Sequence, residues 1–546
     1  MVLRSLIVLL LPLAMSAAGS WTAFRAGPFE VLTAAGQRPG REVLNTLEQL
    51  RYTLGVVLGK HDIEPVWPVR VSVFDSPRQA RGVQLSTLKL SRDAWVGAVV
   101  KNGPLPIREC VRLLLEASTG RMPAEVESGL LDVFSTIQVQ AIRITLGTPP
   151  PSGRRTMAWA RVHLLTITPE YSGRAPVFFS NLAHGADWEA ACHNAFGKTP
   201  AELDAEVQRY LAAGSFPARK ISGAPINPRR DFVPRQVPPE RARLALADLL
   251  DGEAARAAYQ AILNEFGKVP GALEGLGDYA GAIDAGSKSA RCWLEFGRRQ
   301  REPAEARAAY STAAARNPRW AEPYFRMAEL DSDPALKARH LRKATELEPR
   351  NTAYWQALAE ACLKAHDFAG AGRAWSGALR SAASQAERER FRQARQAVER
   401  QRADYLAGER RRRAEQRERE LQRLKQEAMD RIRAAEQEAN AATPEAPKGR
   451  VVVPWWDDTR PKSKVQGLLT RVVCSGATAR LLIQDIGGNT VRILVRDPSK
   501  VVVLGGGERT LACGPLKPPR RVTVEYLIRP DARLGTAGEA SVIEFQ

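Results

Sequence analysis

The spacing of apolar residues changes several times along the chain, and each change predicts a different element. Between residues 19 and 214 strand and helix signals alternate. "FEVLT" and "VRVSVFD" are short, β-branched and alternating, which predicts strands. "GREVLNTLEQLRYTLGVVLG" brings its apolar residues back every three to four positions, which predicts an amphipathic helix. The same period predicts helices from Ile107 to Ser118 and from Pro123 to Gln138. Thr199 stands three residues before Glu202, the spacing of a helix-capping box. Residues 215–240 are rich in proline and arginine and carry no apolar period, so an extended linker is expected there.

Residues 241–383 read as helices that recur about every 31 to 34 residues. In "AYWQALAEACLKAHDFAGAGRAWSGAL" the first helix turns Trp355, Leu358, Ala359 and Cys362 to one side, and the second does so with Ala371, Trp375 and Ala378. The small residues let two helices approach, and the tryptophans fill the space between neighbouring pairs. Pro349 and Pro318 close the two preceding units, in which Tyr324 and Trp293 open the pattern. "GEAARAAYQAIL" supplies a further half-unit at the start. Residues 384–441 are charged and proline-free, with a thin seam through Ala407, Ala414, Leu421, Ala428 and Ala435. A long solvated helix, a weak dimer seam and a basic rod that binds polymers all fit that pattern. A second linker covers 442–463. From 464 to 546 six short strand candidates come at about ten-residue spacing, which predicts a small barrel or sandwich.

The chain is therefore expected to be multidomain α+β: a mixed N-terminal domain, a helical array, a long charged helix and a small all-β domain. The helical units resemble the tetratricopeptide repeat at nearly all of its signature positions. That resemblance implies a concave groove for a protein or peptide, with Tyr324, Trp355 and Trp375 as candidate contacts.

The helix "IRECVRLLLEASTG" raises the question of chemistry. Two histidines four residues apart on one helix face, with a glutamate after the first, make a zinc-peptidase site. Here arginines stand at both histidine positions, Arg108 and Arg112, and Glu109 follows the first. Together with "VESGLLDVF" and "EAACHNAFGKTPAELDAEVQRYL", this stretch resembles the gluzincin-type, peptidase MA-like domain of exported bacterial proteins. The resemblance covers about Phe29 to Gly214 and implies a zincin-like fold. It places Ser128 where the third, acidic ligand would stand. A guanidinium has no free lone pair and a pKa above 12, so it cannot ligate a cation. Zinc is thus not expected, and only Glu109, the vestigial general base, remains of the machinery. No cofactor is implied. Arg112 could pair with Glu109 or Glu116, or the two arginines could bind a carboxylate or phosphate. His163, His184 and His193 fall in no ligand spacing and are expected at the surface or at helix ends.

The formal net charge of +20 fits nucleic acid, an anionic membrane or acidic polymers as partners. The arginines are spread along the chain, however, and no basic–aromatic interleaving suited to stacking bases is present. Residues 1–18 combine a basic start, an apolar run from Leu6 to Met15, and small residues at Ser16 and Ala18. That order predicts a secretory signal cleaved near Ala18, with an uncleaved anchor as the alternative. A periplasmic or secreted protein follows, with cell-envelope association and weak self-association through the charged helix as further possibilities. Six cysteines form no CxxC pair. Cys474 and Cys513 share one small domain and are the expected disulfide. Two classes of function remain in view. One is a non-catalytic interaction scaffold with an inactive peptidase-like domain. The other is a peptidase with a non-standard site, or a hydrolase using Ser128 or Cys110.

Overall fold

The computed structural model describes residues 20–441, 460–505 and 511–546. The expected signal segment and most of the expected second linker lie outside the described residues. The chain divides into two compact units, Met1–Glu418 and Arg419–Gln546. Among the described residues no helix is long and apolar enough to cross a membrane.

The first unit is organised around a mixed six-stranded sheet. It is built from β1 (Thr22–Ala26), β2 (Phe29–Thr33), β3 (Val69–Phe74), β4 (Leu88–Ser91) and β5 (Ala94–Val100). Its order is β4-β5-β3-β2-β1, with the short strand Arg235–Gln236 at the β1 edge. β2, β3 and β5 run parallel. The amphipathic helix α1 (Gln37–Leu58) crosses between β2 and β3 and ends at Gly59 in the left-handed region, φ 64°. Alternation along the strands sorts two cores. Phe29, Val31, Val69, Val71, Val73 and Val99 face α1 and the helices α2 (Ile107–Ser118) and α3 (Ala124–Phe134). Leu32, Phe74, Val96 and Ala98 face the opposite way, onto Ala242, Ala245 and Leu246 of the helix Pro239–Ala247. One sheet thus joins the N-terminal domain to the start of the repeats.

Three sequence expectations change here. The helix expected over Pro123 to Gln138 stops at Phe134, where the hydroxyls of Ser135 and Thr136 turn back onto the carbonyls of Asp132 and Val133. Gln138–Gln140 is then a strand. The stretch 215–240 is no free linker. Arg219–Ser222 pairs with Arg143–Leu146, Arg235–Gln236 pairs with β1, and Phe232 and Val237 are buried. Edge strands supplied backbone partners that no side-chain pattern announces. Third, His163 is not at the surface. On the helix Met157–Ile167 it is fully buried, with Tyr210 Oη at 2.8 Å from Nδ1 and the Gly147 carbonyl at 2.7 Å from Nε2. His184 does cap a helix end through the Ser180 carbonyl, and His193 is exposed. Thr199 and Glu202 form the capping box.

The repeats are antiparallel helix pairs. The last three are Ala290–Gly297 with Pro303–Arg316, Glu322–Glu329 with Pro334–Leu347, and Thr352–Lys364 with Phe368–Ser381. Their contact faces carry fully buried small residues: Ala313, Ala328, Ala344, Ala359, Ala371 and Ala378. A Cβ on Gly377 would meet the Trp355 ring at 2.4 Å, so that approach requires glycine. The expected opening half-unit is larger than read. Gly252–Phe266 follows Pro239–Ala247, and a compressed pair, Pro270–Leu276 and Tyr279–Asp284, comes next. Gln385–Ala441 is one helix. Its first turns are not solvated: Phe391 and Val398 bury against the last repeat, Phe391 at 5.8 Å from Trp375. They close the exposed end that every repeat array has. From Leu406 onward its large apolar side chains are exposed.

In the second unit five strands close into a barrel: Lys462–Ser475, Thr478–Asp485, Thr490–Val495, Gly514–Asp531 and Thr536–Phe545. Closure comes from parallel pairing of Thr490–Val495 with Thr536–Phe545, Ile493 opposite Gly538. Leu469, Leu481, Ile483, Ile493, Val522 and Ile543 are buried in its core. The structure joins Cys474 and Cys513 in a disulfide. Cys110, Cys192, Cys292 and Cys362 are free and buried.

Candidate functional site

Helices α2 and α3 bring together the positions that the peptidase resemblance singles out. The apolar stripe of α2, with Cys110, Val111, Leu113, Leu114 and Leu115 buried, fixes which residues turn outward. α3 lies so close to the helix Met157–Ile167 that a Cβ on Gly129 would stand 2.4 Å from the Ala158 carbonyl oxygen. Gly129 therefore has a steric reason to be glycine. In this setting Arg108 forms an ion pair with Asp132, one turn beyond Ser128 on α3. Both side chains are partly accessible, and the pair spans the two helices. Arg112 is exposed and pairs with neither Glu109 nor Glu116 among the described residues. Ser128 and Glu109 are half-buried. Burial, followed by the Glu109 charge, pushes the Cys110 thiol up to about 12. A thiol that stays protonated is no nucleophile.

A zinc ion does not fit these residues. The two helix positions that should offer imidazole lone pairs offer guanidinium groups, and Asp132, a carboxylate on the facing helix, is already paired to Arg108. Among the described residues no group of three or more His, Cys, Asp or Glu side chains is arranged to hold a metal.

The larger cavity lies elsewhere. The first helices of the last three repeats line a groove of about 760 Å³ whose other wall is the N-terminal domain. Trp67 and Trp320 meet across it edge to face, 4.9 Å between ring centroids. Trp95 and Leu113 continue the domain wall, and Leu294 and Tyr354 the repeat wall. Inter-repeat turns bolt the walls together. Arg350 donates to the Thr119 carbonyl and hydroxyl, both at 2.9 Å, and to the Gly120 carbonyl at 3.1 Å, and pairs with Glu127 at 2.9 Å. Asn317 donates to the Val66 carbonyl at 3.1 Å, and Arg319 pairs with Glu64. Within the groove Tyr354 donates to Glu322 at 2.7 Å, and Arg298 and Arg326 flank the same carboxylate. Burial alone would raise Glu322, but Tyr354 and then Arg326 outweigh it and hold the carboxyl below its usual range.

The aromatic residues expected to meet a ligand are placed differently. Trp375 is buried against Phe391. Trp355 packs on Gly377 and donates to the Pro349 carbonyl at 2.9 Å. Tyr324 is half-buried within the repeat cores. Sequence pattern missed Trp67, Trp320 and Tyr354. The two tryptophans sit in Pro-rich turns, "EPVWPV" and "NPRWAEP", far apart in the chain. A large aromatic in an otherwise polar turn was the one available hint.

No family model matches the chain. No curated protein matches it. Several solved structures overlap part of it. MamA is 17% identical over 27% of this chain and 95% of its own, with a TM-score of 0.22. TTC0263, a thermophilic TPR protein of Thermus thermophilus, is 19% identical over 28% of this chain and 98% of its own, TM-score 0.21. Yeast Tom70 is 11% identical over 51% of this chain and 70% of its own, TM-score 0.20. At these scores the likeness carries no weight, and the repeat assignment rests on the helix pairs described above.

Proposed function

We propose that this chain is an exported, non-catalytic protein-interaction scaffold, in which a peptidase MA-like domain has lost its metal and serves as one wall of a binding groove. The observation that carries the reading is the Arg108–Asp132 ion pair between α2 and α3. On that reading charges of opposite sign stand where electron donors and a divalent ion would have to meet, and guanidinium groups offer a cation no lone pair. The repeats supply the second wall, an inner helical face of the kind that takes up peptides and extended segments. Export is supported by the order of basic, apolar and small residues in the first eighteen positions. The disulfide between Cys474 and Cys513 also suits an oxidising compartment. The full chain, supplied with zinc and a mixture of unstructured peptides, should hydrolyse none of them above the level of its Glu109→Gln variant. Cleavage that needs both zinc and Glu109 would restore the enzyme reading.

A further inference from the structure

The outer face of the barrel in the second unit carries arginines that the scaffold reading leaves without a task. On the strands Lys462–Ser475, Thr478–Asp485 and Thr490–Val495, the side chains of Leu469, Leu481, Ile483 and Ile493 point into the core, so the residues that alternate with them point out. Register aligns Arg471, Leu482 and Arg492 in one row across the three strands. Val473, Arg480 and Leu494 form the next row, and Leu468 stands beside Gln484 in the row before. We propose that this face docks the protein on an anionic phospholipid surface, through Arg471, Arg480 and Arg492 together with the exposed apolar residues Leu468 and Ile486. Neither the groove nor zinc bears on it.

The three strands hold Lys462, Lys464, Arg471, Arg480 and Arg492 against a single acid, Asp485. That carboxylate accepts from the Asn489 amide of its own turn at 2.8 Å. Ion pairs within the barrel, among the described residues, take Lys464, Arg496 and Lys500, and none takes Arg471, Arg480 or Arg492. Arg480 donates to a backbone carbonyl, that of Leu534, at 3.4 Å. Arg471 and Arg492 stand two strand spacings apart, about 10 Å. That is close to the Debye length at physiological salt, about 8 Å, so their fields add toward an anion. Guanidinium groups also match phosphate oxygens two bonds at a time. The apolar neighbours decide which anion fits. Ile486, in the turn between the second and third of these strands, is 90% exposed, Leu468 is 40% exposed and Leu534 is 38% exposed. Insertion among acyl chains takes such side chains out of water. A single-stranded nucleic acid would call for aromatic rings on which its bases stack. Among the described residues the barrel's aromatic side chains are Tyr526, half-buried, and Phe545, buried beneath Arg520. Apolar side chains set among unpaired arginines suit a lipid interface, where apolar burial and attraction to anionic headgroups add.

The test is co-sedimentation of the full chain with vesicles of phosphatidylcholine alone or mixed with phosphatidylglycerol. Binding should require phosphatidylglycerol and weaken with added salt. The R471Q/R480Q/R492Q variant, checked for an unchanged circular dichroism spectrum, should lose about 100-fold in affinity, since each arginine at an anionic surface contributes a roughly five-fold preference. Because the whole chain is basic, a matched control removes as many unpaired arginines from the long helix, R400Q/R410Q/R411Q, and should bind as the native chain does. The I486S variant, which keeps every charge, should bind more weakly than the native chain to the same vesicles. Equal binding to both kinds of vesicle, an unchanged affinity in R471Q/R480Q/R492Q or in I486S, or an equal loss in the helix control overturns the assignment. Displacement from the vesicles by a thymidine oligonucleotide makes the face a nucleic-acid surface and overturns the lipid assignment. Displacement by inorganic phosphate at equal ionic strength makes it a phosphate site and does the same. The scaffold reading fails separately, on zinc-dependent hydrolysis.

Discussion

Arg108 occupies the first metal-ligand position implied by the resemblance, and its guanidinium turns to Asp132 on the facing helix. Sequence alone put arginines at the positions where the resemblance would have histidines. It did not show where the arginine would point, because that depends on two helices meeting across a turn. His163 teaches the converse. No spacing links it to a site, so the sequence predicts the surface or a helix end, yet it is fully buried among Trp159, Tyr210 and Phe216. Burial lowers its pKa from the ordinary 6.5, against the raising effect of the Gly147 carbonyl. The unfolded chain therefore takes up the proton first. Stability from this residue is complete above pH 6.5 and is lost as the pH falls through 6.5 toward the folded value. Denaturant midpoints measured from pH 8 down to 5 should drop more steeply in the native chain than in His163→Gln. Parallel curves would contradict the assignment.

Among elements, the long charged helix shows most plainly where a pattern stops being informative. Its composition predicts a solvated rod, and beyond Leu406 the large apolar residues are indeed exposed. Phe391 and Val398 were legible only as isolated apolar residues in a polar run, with no period to assign them a face. Their role emerges from the partner: the last repeat ends in an apolar surface around Trp375 and Ala378. Phe391→Ala should cost about 3–5 kcal/mol and raise hydrogen exchange chiefly in Thr352–Lys364 and Phe368–Ser381. Exchange unchanged in those helices would mean that the array is closed by something else. The small β-domain was easier to read. Short alternating strands pointed to a barrel or a sandwich, and the choice between them waited on one long-range pairing, Ile493 with Gly538.

At the scale of the whole first unit, the parts hold together through contacts that no local pattern predicts. Asp248 sits at the end of the helix Pro239–Ala247 and accepts from Arg92 at 2.8 and 2.9 Å and from Tyr259 at 2.8 Å, with Arg70 at 3.5 Å. Burial would raise this carboxyl, but Arg92, then Arg70 and Tyr259, hold it below the usual range. Removing it leaves Arg92 buried without its main partner. Asp248→Ala should therefore cost about 3–5 kcal/mol and expose the stretch between residues 215 and 290 to limited proteolysis. Unchanged cleavage would show that the sheet and the repeats are joined chiefly by apolar packing. The same docking creates the groove, since Trp67 comes from the domain and Trp320 from the array. On the proposed reading, a peptidase-like domain without a metal serves as a surface. The most direct test is the zinc content of the full chain purified without chelator and dialysed against zinc-free buffer. The account predicts far less than one zinc per chain. One tightly held zinc per chain, lost in the Glu109→Gln or Asp132→Asn variant, would contradict it.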